Sequence, residues 1–258
     1  MTGQTGDQDA AVAPDGSPVA IYHALPRPAE ADLIDAAIPA GSRILDLGAG
    51  TGRFARALAG LGHTVVAVDH EPAMLAGLED VPGVEPVVGE IAGLTLSPPP
   101  FDVALLASHL IDDDDLGPAA LAVAQWHLRP GGTLVAEVYP AGLDWPAAVG
   151  RRSEIGPVGI TVTRAVVTGD RLDAAVRYDL GERTWDQPFV ARLLDQPASR
   201  HAWTLPASGS SGGSIRPVAG SSAGAESPQE RRRQARGQDG GDGVGAGPMS
   251  EMSADHGQ

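Results

Sequence analysis

The chain reads as an α/β protein, a doubly wound and mostly parallel sheet with an added antiparallel meander. Three observations predict this. The strand-like run Arg43–Leu47 passes into the turn Gly48-Ala49-Gly50-Thr51-Gly52 and then into a helical stretch, the start of a ligand-binding βα unit. Strand-like and helix-like segments then alternate as far as residue 139. Beyond residue 158, three strand-like runs are joined by connections too short to hold helices.

The elements follow in order. Residues 1–18 are polar and carry Gly and Pro, which predicts a disordered leader before a domain spanning 19–196. Leu33, Ile34, Ala37 and Ile38 place a helix over 29–38, stopped by Pro39 and Gly41. After the Arg43–Leu47 strand, a helix covers 53–61. Thr64–Val68 is continuously apolar, as a strand buried on both faces should be, and Asp69 closes it. Glu71-Pro72 opens a helix that runs to about Leu78. Val84–Val88 is a third strand, weakened by Pro86, and Phe101–Ala107 is a fourth. A helix spans 118–128, Arg129-Pro130-Gly131-Gly132 makes a turn, and Thr133–Tyr139 is the fifth strand. Val158–Val167, Arg171–Leu180 and Arg183–Ala191 form the meander, with Pro188 assigning the last run to an edge or a bulge.

Composition narrows the function. With 258 residues, 42% of them hydrophobic, the chain can bury one sizeable core. All 18 basic residues are Arg, against 33 acids, for a net charge of −15. So acidic a protein suits neither nucleic-acid phosphates nor anionic membranes. The absence of Cys removes disulfides, thiolate metal sites and Cys nucleophiles together. Neither a signal peptide nor a membrane-length apolar run is present, so a cytoplasmic location is expected. The four acids Asp112–Asp115 cannot all face one ion, and they read as a solvated cap before a helix rather than a metal site.

The glycine turn admits two ligand classes. A dinucleotide fingerprint wants Gly-x-Gly-x-x-Gly, but here the glycines fall at 48, 50 and 52 and Arg53 holds the place of the last. Asp46, two residues before the turn, would repel a pyrophosphate and suits a cationic ammonium or sulfonium. At these residues the chain resembles the class I S-adenosylmethionine-dependent methyltransferases, over roughly Tyr22 to Leu194. Leu45-Asp46-Leu47-Gly48-Ala49-Gly50-Thr51-Gly52 matches the family's first motif. Asp69, Gly89-Glu90-Ile91, Phe101-Asp102-Val103 and Leu128-Arg129-Pro130-Gly131-Gly132 follow in the family's order.

The resemblance implies a Rossmann-like fold and S-adenosylmethionine as cofactor. It implies a donor site of Asp46, Gly48, Ala49, Gly50 and Gly52, with Asp69 on the ribose hydroxyls and Glu90 and Ile91 near the adenine. Met74 either packs on the adenine or fills the core, and His70 either lines the pocket through its backbone or sits on the surface. Ser108 and His109 end the fourth strand beside the donor. His109 is the candidate general base, or it shapes the pocket without moving a proton. Tyr22 is a candidate lid or substrate residue, with fold packing as the alternative. Trp145, Tyr178 and Trp185 either line a substrate pocket or fill the core of the meander. The expected acceptor is a small molecule. A non-catalytic donor-binding module and a nicotinamide-dependent oxidoreductase are the competing readings; the missing glycine and the absence of Lys disfavour the second.

After Gln196 the apolar periodicity stops, and 197–258 read as a low-complexity, disordered tail. The family's sheet is closed by a final helix and a pair of strands, so the terminal strands are expected to be missing. An altered reading frame or a replaced C-terminus would explain the break. Their loss would open one sheet edge and favour association.

Overall fold

The computed structural model describes residues 12–13, 16–97, 100–139 and 142–194 in full, and residues 202–204 and 216–217 by their backbone. The first strands form a parallel sheet. β1 (Arg43–Leu47) lies between β2 (Thr64–Asp69) and β4 (Phe101–Leu106). β3 (Val84–Val88) pairs with β2, and β5 (Leu128–Ala136) pairs with β4. The edge position of β3 accommodates Pro86, whose missing N–H would break a central ladder.

Strand parity assigns the two faces. Ile44, Val65, Ala67, Val103, Leu105 and Val135 point to one side and pack against α2 (Glu30–Ala37), α3 (Arg53–Gly60) and α4 (Pro72–Leu75). Leu45, Leu47, Val66, Val68, Ala104, Leu106 and Leu134 point to the other side, where α5 (Leu116–His127) supplies Ala120, Val123 and Ala124. β1, β2 and β4 are buried along most of their length because helices cover both faces, whereas edge strand β3 exposes Glu85 and Val88. On α2 the buried stripe is Ala31 and Ile34, continued by Ile38; Leu33, expected on that face, is 65% exposed.

The expected turn Arg129–Gly132 lies inside β5. Phe101 pairs with Leu128 and Val103 with Thr133, so those four residues bulge out of the ladder. Asp102 fastens this bulge to β1. Its Oδ2 accepts the Arg43 N–H at 2.7 Å, and its Oδ1 accepts Arg129 Nε at 2.6 Å. β5 ends at Ala136, short of the expected Tyr139.

The meander has four strands rather than three. β6 (Arg152–Ile155) precedes β7 (Val158–Thr168), β8 (Arg171–Leu180) and β9 (Arg183–Arg192), each antiparallel to the next. β9 is an edge strand, which accounts for Pro188. A short helix, α6 (Trp145–Ala148), leads into the meander, its Pro146 in the first turn and Asp144 capping the Ala147 N–H. Asp114 ties the meander to the loop after β4. Its two oxygens accept Arg171 Nη1 at 2.7 Å and Arg192 Nη2 at 2.8 Å.

Two regions differ from expectation. The end of the leader is packed: Val12 bridges Pro18, Ala13 and Ser17 are buried, and α1 (Val19–Ala24) follows. The β5 edge is not bare either. β10 (Ala202–Thr204) pairs antiparallel with β5, and β11 (Arg216–Pro217) pairs with β10, giving the order β11-β10-β5-β4-β1-β2-β3. These strands are too short to leave an apolar alternation in the sequence. The other residues of the expected leader and tail lie outside those described.

Candidate functional site

The carboxyl ends of β2, β1, β4 and β5 sit side by side, since Leu47 pairs with both Val68 and Leu106, and Leu106 pairs with Ala136. Neighbouring strands are about 4.8 Å apart. The topology therefore lines up Asp69, the glycine turn, Ser108-His109 and Glu137 along one edge.

Asp46 shares the parity of Ile44 and so points to the α3 face, beneath the glycine turn. It is 1% exposed, and neither carboxyl oxygen has a hydrogen-bond partner among the described residues. Burial, and secondarily the charge of Asp69, push its pKa up to about 8. Asp69 is also buried, but it is satisfied: Oδ2 accepts the Gly50 N–H at 2.8 Å and Oδ1 the Glu71 N–H at 2.9 Å. Each oxygen keeps lone-pair capacity for a further donor. The Ala49 N–H bonds Val68 O at 2.9 Å, which locks the turn to β2.

Two glycines of the turn are needed for distinct reasons. Gly52 has φ +71°, and a Cβ there would lie 2.5 Å from Leu78 Cδ2. Gly48 has φ +68°, and a Cβ would face Leu110 at 3.4 Å and Ile91 at 3.9 Å. Ile91 and Leu110 thus both reach the turn. Glu90 is exposed. His70 is exposed too, its Nδ1 3.6 Å from Asp69 Oδ1. Met74 is buried against Ala13, Val19 and Tyr22, which favours its packing role.

A strap made of residues 16–27 crosses this region. Thr51 Oγ1 donates to Tyr22 O at 3.1 Å, and Arg53 Nε to Pro26 O at 3.0 Å. His23 Nε2 lies 3.4 Å from Ala73 O, and Gln187 Nε2 donates to Ser17 Oγ at 3.1 Å. Tyr22 is therefore held over the turn by elements from both sides. A cavity of about 620 Å³ opens beside the strap, lined by Tyr22, Arg27, Thr51, Arg53, Arg56 and Leu61 among others. Asp46, Asp69, His109 and Glu137 are not among its lining residues, so this cavity lies apart from the cluster of acids and His109.

At the end of β4 the backbone turns sharply. Ser108 and His109 have φ of 54° and 60°, a left-handed pair with no glycine. Such residues cost about 1–3 kcal/mol each and persist only where the surroundings hold them. Here Glu137 Oε2 accepts the Ser108 N–H at 2.8 Å. The His109 ring stacks on Tyr139 with centroids 3.6 Å apart and planes at 10°. Its Nδ1 lies 3.6 Å from Asp112 Oδ2 and its Nε2 lies 3.6 Å from Glu137 Oε1. Tyr139 in turn packs on Phe189 and meets Trp145 edge-on. Burial, with Tyr22, Asp112 and Glu137 nearby, raises the Tyr139 pKa.

The acid run is not a uniform solvated cap. Asp112 is fully buried, with Oδ2 accepting the Tyr139 N–H at 2.7 Å and Oδ1 unpartnered. Asp113 alone caps α5, through the N–H groups of Asp115 and Leu116. Sequence reading missed Asp112, Glu137, Tyr139 and Leu110 as members of the site. Glu137, just past the apolar end of β5, was the one visible signal. Trp145 lies in the aromatic cluster, whereas Trp185 faces Arg183 and Tyr178 across the meander.

An open sheet with an acid-flanked glycine turn and a second acid ending β2 defines a nucleoside-binding α/β transferase of the methyltransferase class. Residues 44–132 match the methyltransferase domain model. Uncharacterised methyltransferases of Mycobacterium tuberculosis and Mycobacterium bovis are 33% identical over 175 residues, covering 66% of this chain and 69% of theirs. The CcbJ methyltransferase of Streptomyces caelestis superposes with a TM-score of 0.50 at 27% identity, over 64% of this chain and 72% of that one. The chain belongs to the class I S-adenosylmethionine-dependent methyltransferases. The oxidoreductase reading is thereby set aside. No helix among the described residues is long and apolar enough to cross a membrane.

Proposed function

We propose that this enzyme methylates a small molecule bound at the carboxyl ends of β4 and β5, using a donor held at the ends of β1 and β2. The observation that carries the donor half is Asp46. A buried carboxylate with two unpaired oxygens lacks a cationic partner, and the ammonium and sulfonium of S-adenosylmethionine are cations of suitable size. The residues present therefore fit the donor. Asp46 would face its cationic end, Asp69 its ribose hydroxyls, and Ile91 and Leu110 the ring beside Gly48. When bound, the donor supplies an electrophilic methyl carbon on a sulfur that leaves as a neutral thioether.

The chain's own residues supply position and proton handling. The strap lies over the turn, and in-line placement with exclusion of water carries much of such a rate. His109 stands where a proton from the acceptor can be received. A small acceptor is supported by the strap on one side of the candidate site and the meander on the other, which Gln187 and Ser17 join. The net charge of −15 further disfavours nucleic acid.

Calorimetric titration with S-adenosylhomocysteine and S-adenosylmethionine tests the donor half. We expect both to bind and NAD not to bind. A folded sample that binds neither adenosyl ligand would overturn the reading. Turnover on a panel of small acceptors, followed by methyl label, tests the acceptor half.

A further inference from the structure

The cluster around His109 says more about the acceptor than its size. Asp112 is acceptor-only when ionised, and its Oδ2 lies 3.6 Å from His109 Nδ1. Nδ1 makes no hydrogen bond among the described residues, and a carboxylate stands 3.6 Å from each ring nitrogen, but Asp112 is buried whereas Glu137 is 47% exposed, so the less screened charge favours the tautomer with the proton on Nδ1 and leaves the Nε2 lone pair outward. Beside Nε2, at 3.6 Å, lies Glu137 Oε1. The other Glu137 oxygen is occupied by the Ser108 N–H, so the carboxylate cannot turn away without losing that bond. The ring cannot swing either, because it stacks on Tyr139. Two hydrogen-bond acceptors are thus fixed side by side, at a spacing where one small group can touch both.

Counting protons decides which group fits. A hydroxyl has one proton, so it can satisfy Nε2 or Oε1 but would set its lone pairs against the other. A primary or secondary ammonium has at least two N–H donors, one for each, and its charge complements a carboxylate. The surroundings agree. Asp112 Oδ1 is a further buried acceptor without a partner. The charged and titratable groups that face this cluster are Asp112, Glu137, Tyr139, Tyr22 and Arg53. Arg53 is the cation among them; its Nε donates to Pro26 O and its charge acts on Glu137.

We propose, building on the methyltransferase reading, that the acceptor is an amine, bound with its nitrogen between His109 Nε2 and Glu137 Oε1. The ammonium gives one proton to Nε2, and the lone pair so released is the one the new N–C bond needs. A second N–H stays on Oε1 and orients the nitrogen. The positive charge lost from sulfur reappears on the methylated nitrogen, and the proton on His109 leaves to solvent. Asp112 is a positioning residue: its buried charge beside Nδ1 favours this tautomer and stabilises the imidazolium. The left-handed Ser108-His109 pair is the backbone cost of aiming the ring into this gap.

The test uses matched amine and alcohol pairs: benzylamine with benzyl alcohol, cyclohexylamine with cyclohexanol, and glucosamine with glucose. With the full chain saturated in S-adenosylhomocysteine, histidine ring proton and nitrogen resonances are followed as each probe is added to millimolar levels. The His109 signal is assigned from a His109→Asn sample. We expect the amines to move the His109 resonances and the alcohols to leave them in place. In the wild-type protein, labelled methyl should go to amines at least about tenfold faster than to the matched alcohols. Glu137→Gln sharpens the assignment. Its amide oxygen can keep the Ser108 bond while the atom facing His109 becomes an N–H donor. This variant should bind S-adenosylhomocysteine within about twofold of wild type and lose the amine-induced shift. Binding of S-adenosylhomocysteine without any amine effect at His109 would overturn the amine proposal alone, as would faster methylation of the alcohols. Absence of S-adenosylhomocysteine binding would instead overturn the donor reading beneath it.

Discussion

The two halves of the candidate edge, the proposed donor half and the proposed acceptor half, solve the same backbone problem with different residues. At the ends of β1 and β2, left-handed conformations fall on Gly48, Gly50 and Gly52, where they cost little. At the end of β4 they fall on Ser108 and His109, where they are strained. The acids differ likewise. Asp69 is satisfied by two backbone N–H groups, whereas Asp46 and the Oδ1 of Asp112 are buried without partners. The proposed donor half is preformed by cheap backbone geometry. The acceptor half is held by side chains that constrain one another.

The comparison can be broken most severely at Asp46. Its folded pKa, near 8, lies above the unfolded value of 3.8. The folded state therefore holds a proton that the unfolded state has lost between those values. The stability tied to that proton is fully present below about pH 4 and is lost as pH rises through 8. Asp46→Asn removes this dependence. Wild type should lose about 3–5 kcal/mol relative to the variant between pH 4 and pH 8, read from denaturant midpoints at each pH. S-adenosylhomocysteine binding to wild type below pH 8 should release a proton, seen in buffers of different ionisation enthalpy, and the variant should release none.

Next in size is the packing of the turn. Gly52→Ala sets a Cβ 2.5 Å from Leu78 and forces a left-handed alanine. We expect a loss of about 2–3 kcal/mol in chemical denaturation, with Leu78→Ala partly restoring it. A Gly52→Ala protein as stable as wild type would show that the turn can shift and is not preformed.

Asp69→Ala should weaken S-adenosylhomocysteine binding by about 1–3 kcal/mol, measured by calorimetry, since it removes the proposed ribose partner and the Gly50 bond together. The smallest effect tests the other half. Ser108→Gly should stabilise the fold by about 1 kcal/mol, because it relieves one strained residue, while slowing turnover as His109 loses its aim. Stabilisation without loss of rate would mean that the strain serves nothing in the reaction.

The donor half was legible because its devices are local. Asp46 and Asp69 follow apolar strands, and the turn glycines are consecutive punctuation that no other residue can imitate. The acceptor half was only partly legible. His109 stood out by type and position, but Asp112 was hidden in a run of four acids whose fates diverge completely. Glu137 and Tyr139 look like ordinary residues after a strand until β4 and β5 are paired. Met74 resolved toward packing because the strap covers it, and no pattern in residues 16–27 announces a strap.

By itself, then, the sequence determined the alternation of buried strands and helices, the glycine turn and the acids that flank it. These follow from burial on two faces and from backbone conformations that residue type controls directly. Only the tertiary structure decided that His109 stands between Asp112 and Glu137 on a wall of Tyr139. That arrangement joins residues from two strand ends and one loop, and its geometry depends on strand register, which residue type alone does not encode.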